Sequence, residues 1–258
     1  MRLYTGRSDY FDRPVSSYMR PFVLTSLLVR IFSVGLILIL CACLPLQKPQ
    51  TDFQPAMIVW SGTVEIDGDT IFAPATELII LPGTEVVFLP ADPARDTLQR
   101  HPNFIGYELI IQGRVTAVGT ADRPIIFRSS DLASGAGSWG GINLVESPDA
   151  RFEFCQFMQA DSAVHGQKSK ITVENSLFAR NRVGVRFYDS EILIENNLFH
   201  NNQTAIRFHF GAPVICLNII RNNEQGLFVT SYPRDYLIEN NTFEQNRYGN
   251  VILGEEVP

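Results

Sequence analysis

Residues 174–185 read ENSLFARNRVGV and residues 195–206 read ENNLFHNNQTAI, so the same pattern occurs twice, 21 residues apart. Between residues 150 and 249 the pattern recurs as a large apolar residue, with a small or amide residue two places before it and, in the later repeats, Asn three places after it. The apolar position is filled by Phe157, Phe178, Phe199, Ile220 and Phe243. A fixed short period indicates that each repeat is one structural unit that stacks on the next.

The unit is built from strands. Within one repeat, apolar and polar residues alternate over short runs that Asn and Gly interrupt. This period of two predicts short β-strands joined by turns. If each repeat is one turn of a coil, equivalent residues become neighbours at about 4.8 Å, the spacing between strands. We therefore expect the Phe column to stack in the core and the Asn columns to form ladders at the turns.

These repeats resemble the coils of right-handed parallel β-helix proteins. Upstream, residues 109–127 (LIIQGRVTAVGTADRPIIF) and 138–142 (SWGGI) resemble the entry coils of bacterial members of that group. The resemblance implies an all-β, right-handed parallel β-helix of about 8–9 coils over residues 58–258, with an N-terminal cap and first coil near residues 62–66 and 78–88. It does not define the activity, because this fold carries lyases, hydrolases, epimerases and inert proteins.

The N-terminal residues 1–42 predict a lipoprotein signal peptide. The apolar run 31–42 follows Arg20 and Arg30 and is too short to span a membrane, as expected for a secretory signal. Met19 is an alternative start to Met1, because the chain from Met19 onward has the proportions of a complete signal peptide.

The end of this segment, LCAC at residues 40–43, resembles the bacterial lipobox. The resemblance implies that Cys43 is lipidated, that the protein is anchored to the membrane of the cell envelope, and that the absence of Asp after Cys43 favours the outer membrane. The alternative is an ordinary signal peptide with coincidental cysteines. Residues 43–57 contain several Pro and Gln and predict a flexible tether.

Charge and cysteine content exclude two kinds of site. Removing residues 1–42 takes away five Arg and two Asp and leaves 16 basic and 25 acidic residues, a net charge of −9. Such an acidic domain excludes nucleic acid as a partner, because phosphate neutralisation dominates that affinity. Cys155 and Cys216 lie three coils apart, roughly 14 Å along the axis. A disulfide needs Cα atoms within about 7 Å, so we expect two free thiols.

The sequence contains no recognisable catalytic motif, so we assign no catalytic residue. The Asp67-x-Asp69 pair falls at a turn, and Asp161 and Asp189 do not keep register between coils.

A column of glutamates recurs four places before the apolar residue of each repeat, at Glu153, Glu174 and Glu195. Adjacent carboxylates repel by about 1 kcal/mol per pair in water, so a cation such as Ca²⁺ could bridge them. The alternative is a solvated face with nearby counter-charges.

A third set of residues forms a candidate ligand-binding patch. Arg186 and Arg207 lie eight places after their apolar residues, and Tyr188 and His209 lie two places further along the same strands. Residues two apart on a strand share a face, so the four form a cationic and aromatic patch that Phe228 continues in the next coil. Arg binds carboxylates through a bidentate fork, which favours an anionic glycan. The alternative is a decorated, exposed sheet.

Two remaining features predict surface positions. His165 and His200 stand apart from this patch and are predicted to be surface residues. Residues 90–107, rich in Pro and charged side chains, break the repeat and predict a surface loop, a kind of segment that often carries function.

Three functional hypotheses remain. The first is a non-catalytic, lipid-anchored envelope protein that presents a β-face to a glycan or protein partner. The second is a carbohydrate-active enzyme, a polysaccharide lyase or esterase, which requires carboxylates and a base to converge. The third is a periplasmic accessory similar to the β-helix partners of metal-cofactor maturation systems, which requires a cluster of soft metal ligands.

Overall fold

The computed structural model describes residues 56–92, 104–231, 233 and 235–254. They lie within one compact unit, Phe53–Pro258, and form 24 strands and no helix, so this part of the chain holds no helix able to cross a membrane. The predicted signal peptide and Cys43 lie outside the described residues, as does most of the tether. The predicted loop at residues 90–107 is described only at its two ends.

The strands form three parallel sheets of eight strands each, which we call sheets A, B and C. Sheet A contains β1 (Ala56–Trp60), β4 (Thr76–Ile80), β7 (Arg114–Val118), β10 (Ala150–Glu153), β13 (Lys170–Glu174), β16 (Glu191–Glu195), β19 (Ala212–Cys216) and β22 (Leu237–Glu239). Sheet B contains β2 (Thr63–Ile66), β5 (Glu85–Phe88), β8 (Ile125–Ser129), β11 (Cys155–Met158), β14 (Leu177–Ala179), β17 (Leu198–His200), β20 (Ile219–Arg221) and β23 (Thr242–Glu244). Sheet C contains β3 (Thr70–Phe72), β6 (Glu108–Ile111), β9 (Trp139–Val145), β12 (Ala160–Gln167), β15 (Val183–Tyr188), β18 (Thr204–His209), β21 (Gln225–Ser231) and β24 (Gly249–Leu253).

The chain visits the three sheets in turn, so every third strand is hydrogen-bonded to the next. Phe178 pairs with Phe199 in register, which places residues 21 apart on adjacent strands. The predicted all-β parallel solenoid is therefore confirmed, with eight coils in the described residues. β1 begins at Ala56, so the last two residues of the predicted tether belong to the first strand. The stretches proposed for the cap and first coil are regular strands of the first two coils.

The core is a stack of aromatic rings. The ring centroids of Phe157 and Phe178 lie 4.7 Å apart, and those of Phe178 and Phe199 lie 4.6 Å apart, with nearly parallel planes. Phe127 extends the stack upstream at 4.9 Å from Phe157. These side chains are fully buried. Their burial is the main stabilising contribution of each coil.

Two buried ladders of polar side chains support the turns. One contains Cys155, Ser176, Asn197, Asn218 and Asn241, and the other contains Asn181, Asn202, Asn223 and Asn246. In each step the side-chain oxygen of the later residue accepts a hydrogen bond from the backbone N–H of the earlier one. The ladders predicted from the Asn columns are therefore confirmed. They satisfy backbone groups that the turns would otherwise leave buried without partners.

The two cysteines of the described chain are both free thiols, as predicted. Cys155 is buried in the first ladder, where loss of hydration raises its pKa and keeps the thiol protonated. Cys216 lies on the outer face of sheet A, where burial and the neighbouring carboxylates of Glu195 and Glu239 raise its pKa.

Candidate functional site

The outer face of sheet C carries a continuous row of polar and aromatic side chains. Asn143, His165, Arg186, Arg207 and Phe228 occupy equivalent positions on five successive strands. Adjacent positions on parallel strands lie about 4.8 Å apart, so each residue of the row lies beside the next. The row joins two regions, a buried polar cluster toward the N-terminal coils and an open cationic patch toward the C-terminal coils.

The open patch contains the five residues that the sequence predicted as ligand-binding. Arg186 pairs with Arg207, and Tyr188 pairs with His209 on the same two strands. The rings of Tyr188 and His209 stack at 5.4 Å, and the guanidinium carbon of Arg207 lies 5.1 Å from the centroid of the Phe228 ring. The structure therefore brings all five side chains onto one face, with the Tyr188 ring 43% exposed.

The electrostatics of the patch are unusual for an acidic protein. Arg207 has no ion pair with any carboxylate in the part of the chain that the structure describes. His209 is oriented by a contact of 3.0 Å between its Nδ1 and the hydroxyl of Thr230. The Arg207 guanidinium can bind a carboxylate or sulfate group, and the exposed Tyr188 ring on the neighbouring strand can contact a sugar.

The buried polar cluster was not predicted as a site. Glu108, Asn143 and His165 are almost completely buried. The amide nitrogen of Asn143 donates to the carboxylate of Glu108, and its amide oxygen lies 2.9 Å from Nδ1 of His165. Because that oxygen can only accept, the network assigns the proton of the imidazole to Nδ1. The other ring nitrogen is then an acceptor when the ring is neutral.

The prediction that His165 is a surface residue is wrong. The ring of Phe104 packs edge-on against the imidazole of His165 at a centroid distance of 5.1 Å, and it also lies 5.4 Å from the guanidinium carbon of Arg186. Phe104 lies within the predicted loop, at the first residue described after the gap, and it is buried, so the chain returning from the loop covers this part of sheet C. The strand pattern places His165 on the outer face but gives no sign of this non-local cover.

An ion pair between a buried carboxylate and a partly exposed arginine lies near Arg186. Asp161 is almost completely buried, and its carboxylate accepts a hydrogen bond of 2.7 Å from Arg182. Burial raises the pKa of Asp161, while the charges of Arg182 and Arg186 oppose that rise. The hydroxyl of Ser162 is buried without a hydrogen-bond partner among the described residues. Arg186 therefore lies at the junction between the buried cluster and the open patch.

The glutamate column proposed as a calcium site lies on the outer face of sheet A. Glu153, Glu174 and Glu195 are in register, as expected. A guanidinium nitrogen of Arg151 lies 2.7 Å from the carboxylate of Glu153 and 3.7 Å from that of Glu174. Within the described ranges no group of three or more His, Cys, Asp or Glu has a metal-binding arrangement. Arg151 thus supplies a counter-charge for two of the three glutamates, and calcium binding stays a prediction.

Comparison with known proteins defines the family. Residues 120–256 match the family model described as the right-handed β-helix region, which covers more than half of the 258-residue chain. Comparison with the curated proteins finds no match, and comparison with the solved structures finds none either. The matched residues include the Phe stack, both Asn ladders and the whole row on sheet C. The chain therefore belongs to the right-handed β-helix family.

Proposed function

We propose that the protein is a non-catalytic, lipid-anchored protein of the cell envelope whose sheet C face binds an anionic carbohydrate. The observation that carries this proposal is the in-register pair of Arg186 and Arg207, each with a phenylalanine ring beside its guanidinium group. A guanidinium fork donates two parallel hydrogen bonds to one carboxylate or sulfate. The Arg207 fork, with the charge of Arg186 on the adjacent strand, therefore suits a polymer that carries acidic groups.

The neighbouring rings support the same ligand class. Tyr188 and His209 lie two residues beyond the two arginines on the same strands, and the exposed Tyr188 ring, which stacks on His209, can contact a pyranose ring. A local cationic site on a protein with an overall negative charge also favours an anionic ligand at this face. The lipid anchor at Cys43 and the location at the outer membrane rest on the sequence pattern of residues 40–43.

Replacing Arg207 with alanine is expected to weaken binding of carboxylated or sulfated glycans by about tenfold, because one charge-assisted fork is lost. Binding of the purified full-length chain to an array of acidic and neutral glycans measures this. A polymer of uronic acid and its carboxyl-reduced form provide a pair of probes that differ only in charge.

Arg221→Ala is the matched control, since Arg221 is an exposed arginine on the outer face of sheet B. It removes the same charge outside the patch and should leave glycan binding unchanged. Equal binding by wild type and Arg207→Ala would refute the patch. Equal losses of affinity in Arg207→Ala and Arg221→Ala would mean that only the net charge of the protein matters.

The second candidate function is a polysaccharide lyase or esterase, and the buried cluster favours it. The Glu108–Asn143 pair holds His165 in the tautomer whose Nε2 can accept a proton. General base catalysis requires an imidazole in this form near a group that stabilises negative charge, and Arg186 is adjacent to His165 in register.

This candidate predicts turnover of a polyuronate or an esterified polysaccharide by the full-length chain, and its loss in His165→Ala. Release of unsaturated uronate or free acid measures the turnover, and thermal unfolding checks that the variant is folded. Activity in wild type that survives His165→Ala would exclude this cluster as the catalytic site, and no turnover on either polymer would favour the non-catalytic proposal.

A further inference from the structure

The corner where sheet A turns into sheet B carries an exposed apolar band. In the coil of residues 212–221 the outward positions at this corner are Val214, Cys216, Leu217 and Ile219, with Leu237 beside Val214 on the next strand. Leu217, Ile219 and Leu237 are 52%, 43% and 45% exposed. We call Val214, Leu217, Ile219 and Leu237, together with Glu195 and Glu239, the corner patch.

Leu217 occupies a turn position of this corner that disfavours its side chain. Its φ angle is 59°, in the left-handed region that disfavours branched and bulky side chains. The equivalent turn positions of four other coils are Phe154, Asn175, Asn196 and Asn240, of which the three Asn tolerate the same conformation. Leu217 is therefore unfavourable both in its backbone conformation and in the exposure of its apolar side chain to water. Because the side chain is half-exposed, it contributes little to the core. A partner that covers Leu217 would offset the solvation cost.

The charges of the corner patch define the chemistry of that partner. Glu195 and Glu239 lie on the strands on either side of Cys216, in register with it. Arg151 compensates Glu153 and Glu174 further along the column. Neither Glu195 nor Glu239 forms an ion pair within the described residues. The apolar band therefore has two uncompensated carboxylates at its edges.

We propose that the corner patch docks a partner protein through a segment whose apolar residues cover Leu217 and Ile219 and whose Lys or Arg side chains pair with Glu195 and Glu239. Apolar contact at the centre and charge pairing at the rim is the usual arrangement of a protein interface. The carboxylates repel an anionic lipid surface. They also oppose a symmetric contact with a second copy, since a two-fold axis would place the same acidic patch on both sides.

The test uses three synthetic peptides of equal length with alternating residues: leucine with lysine, serine with lysine, and leucine with glutamate. Fluorescence anisotropy with the full-length chain should show binding of the leucine–lysine peptide alone. Leu217→Asn should weaken that binding by about tenfold, because a central apolar contact is lost. Since Asn fills the same position in other coils, this variant keeps the fold, which thermal unfolding checks.

Leu132→Asn is the control variant, because Leu132 is 59% exposed and lies outside the corner patch. It should bind the leucine–lysine peptide as wild type does. The double variant Glu195→Gln, Glu239→Gln should lose affinity and most of the salt dependence of binding. Equal binding of the leucine–lysine and leucine–glutamate peptides, or full binding by Leu217→Asn, overturns the proposal.

Self-association of the chain and binding to lipid vesicles test the other occupants. Sedimentation of wild type and Leu217→Asn over a range of concentrations should give the same mass. A dimer that Leu217→Asn disrupts would show that the occupant is a second copy, and vesicle binding that the same variant abolishes would show a membrane surface. Either result overturns the assignment of a basic protein partner.

Discussion

Replacing Phe178 with alanine is expected to lower the free energy of unfolding by about 3–5 kcal/mol, the range for a fully buried Phe. Phe178 is completely buried, with the rings of Phe157 and Phe199 stacked on its two faces at 4.7 and 4.6 Å. Its removal leaves a cavity that the two neighbours cannot fill, because the parallel strands fix the spacing of the coils. Equilibrium unfolding in urea, followed by circular dichroism, measures the loss.

Leu177→Ala is the control within the same strand. Leu177 precedes Phe178 on the opposite face and is only half-buried, so its truncation should cost about 1 kcal/mol or less. In a solenoid each coil contacts only its neighbours. The packing lost in Phe178→Ala should therefore be confined mainly to its own coil and to the coils that contain Phe157 and Phe199. Similar losses for both variants would mean that the Phe stack is not the main source of stability.

Most of the fold could be predicted from the 21-residue period of the sequence. Because side chains 21 residues apart become neighbours, the aligned columns gave the Phe stack, the Asn ladders and the register of the Arg pair. Phe127 was missed, although it stacks on Phe157, because residues 130–138 lie between their repeats and break the period. The sequence therefore predicts structure well where the coils are uniform, and poorly where an insertion shifts the phase.

The site was predicted only in part, for a physical reason. The open patch depends on strand register alone, and the structure places its five residues together. The burial of His165 depends on Phe104, which returns to sheet C from a different part of the chain. The ion pair of Arg151 with Glu153 could have been predicted, because the two residues lie two apart on the same face of one strand. That spacing predicts a counter-charge for the glutamate column.

Replacing Asn202 with alanine is expected to lower the free energy of unfolding by about 2–5 kcal/mol, since a buried group that loses its partner costs about 1–3 kcal/mol. The side-chain oxygen of Asn202 accepts a hydrogen bond of 2.9 Å from the backbone N–H of Asn181, and its amide donates at 2.9 Å to the carbonyl of Phe178. Alanine removes both bonds and interrupts the ladder toward Asn223. Urea unfolding of the full-length chain measures the loss.

Two further variants separate the ladder from general damage to the turn. Gln203→Ala alters the next residue, which is exposed and joins the ladder through its backbone only, so its cost should stay within about 0.5 kcal/mol. Asn202→Ser should fall between these values, because Ser176 in the other ladder accepts the equivalent bond from the backbone N–H of Cys155 at 3.0 Å. A serine variant as damaging as alanine would show that the amide's donor bonds dominate. If Asn202→Ala cost no more stability than Gln203→Ala, water would have to replace the lost hydrogen bonds. The burial of Asn202 argues against that outcome.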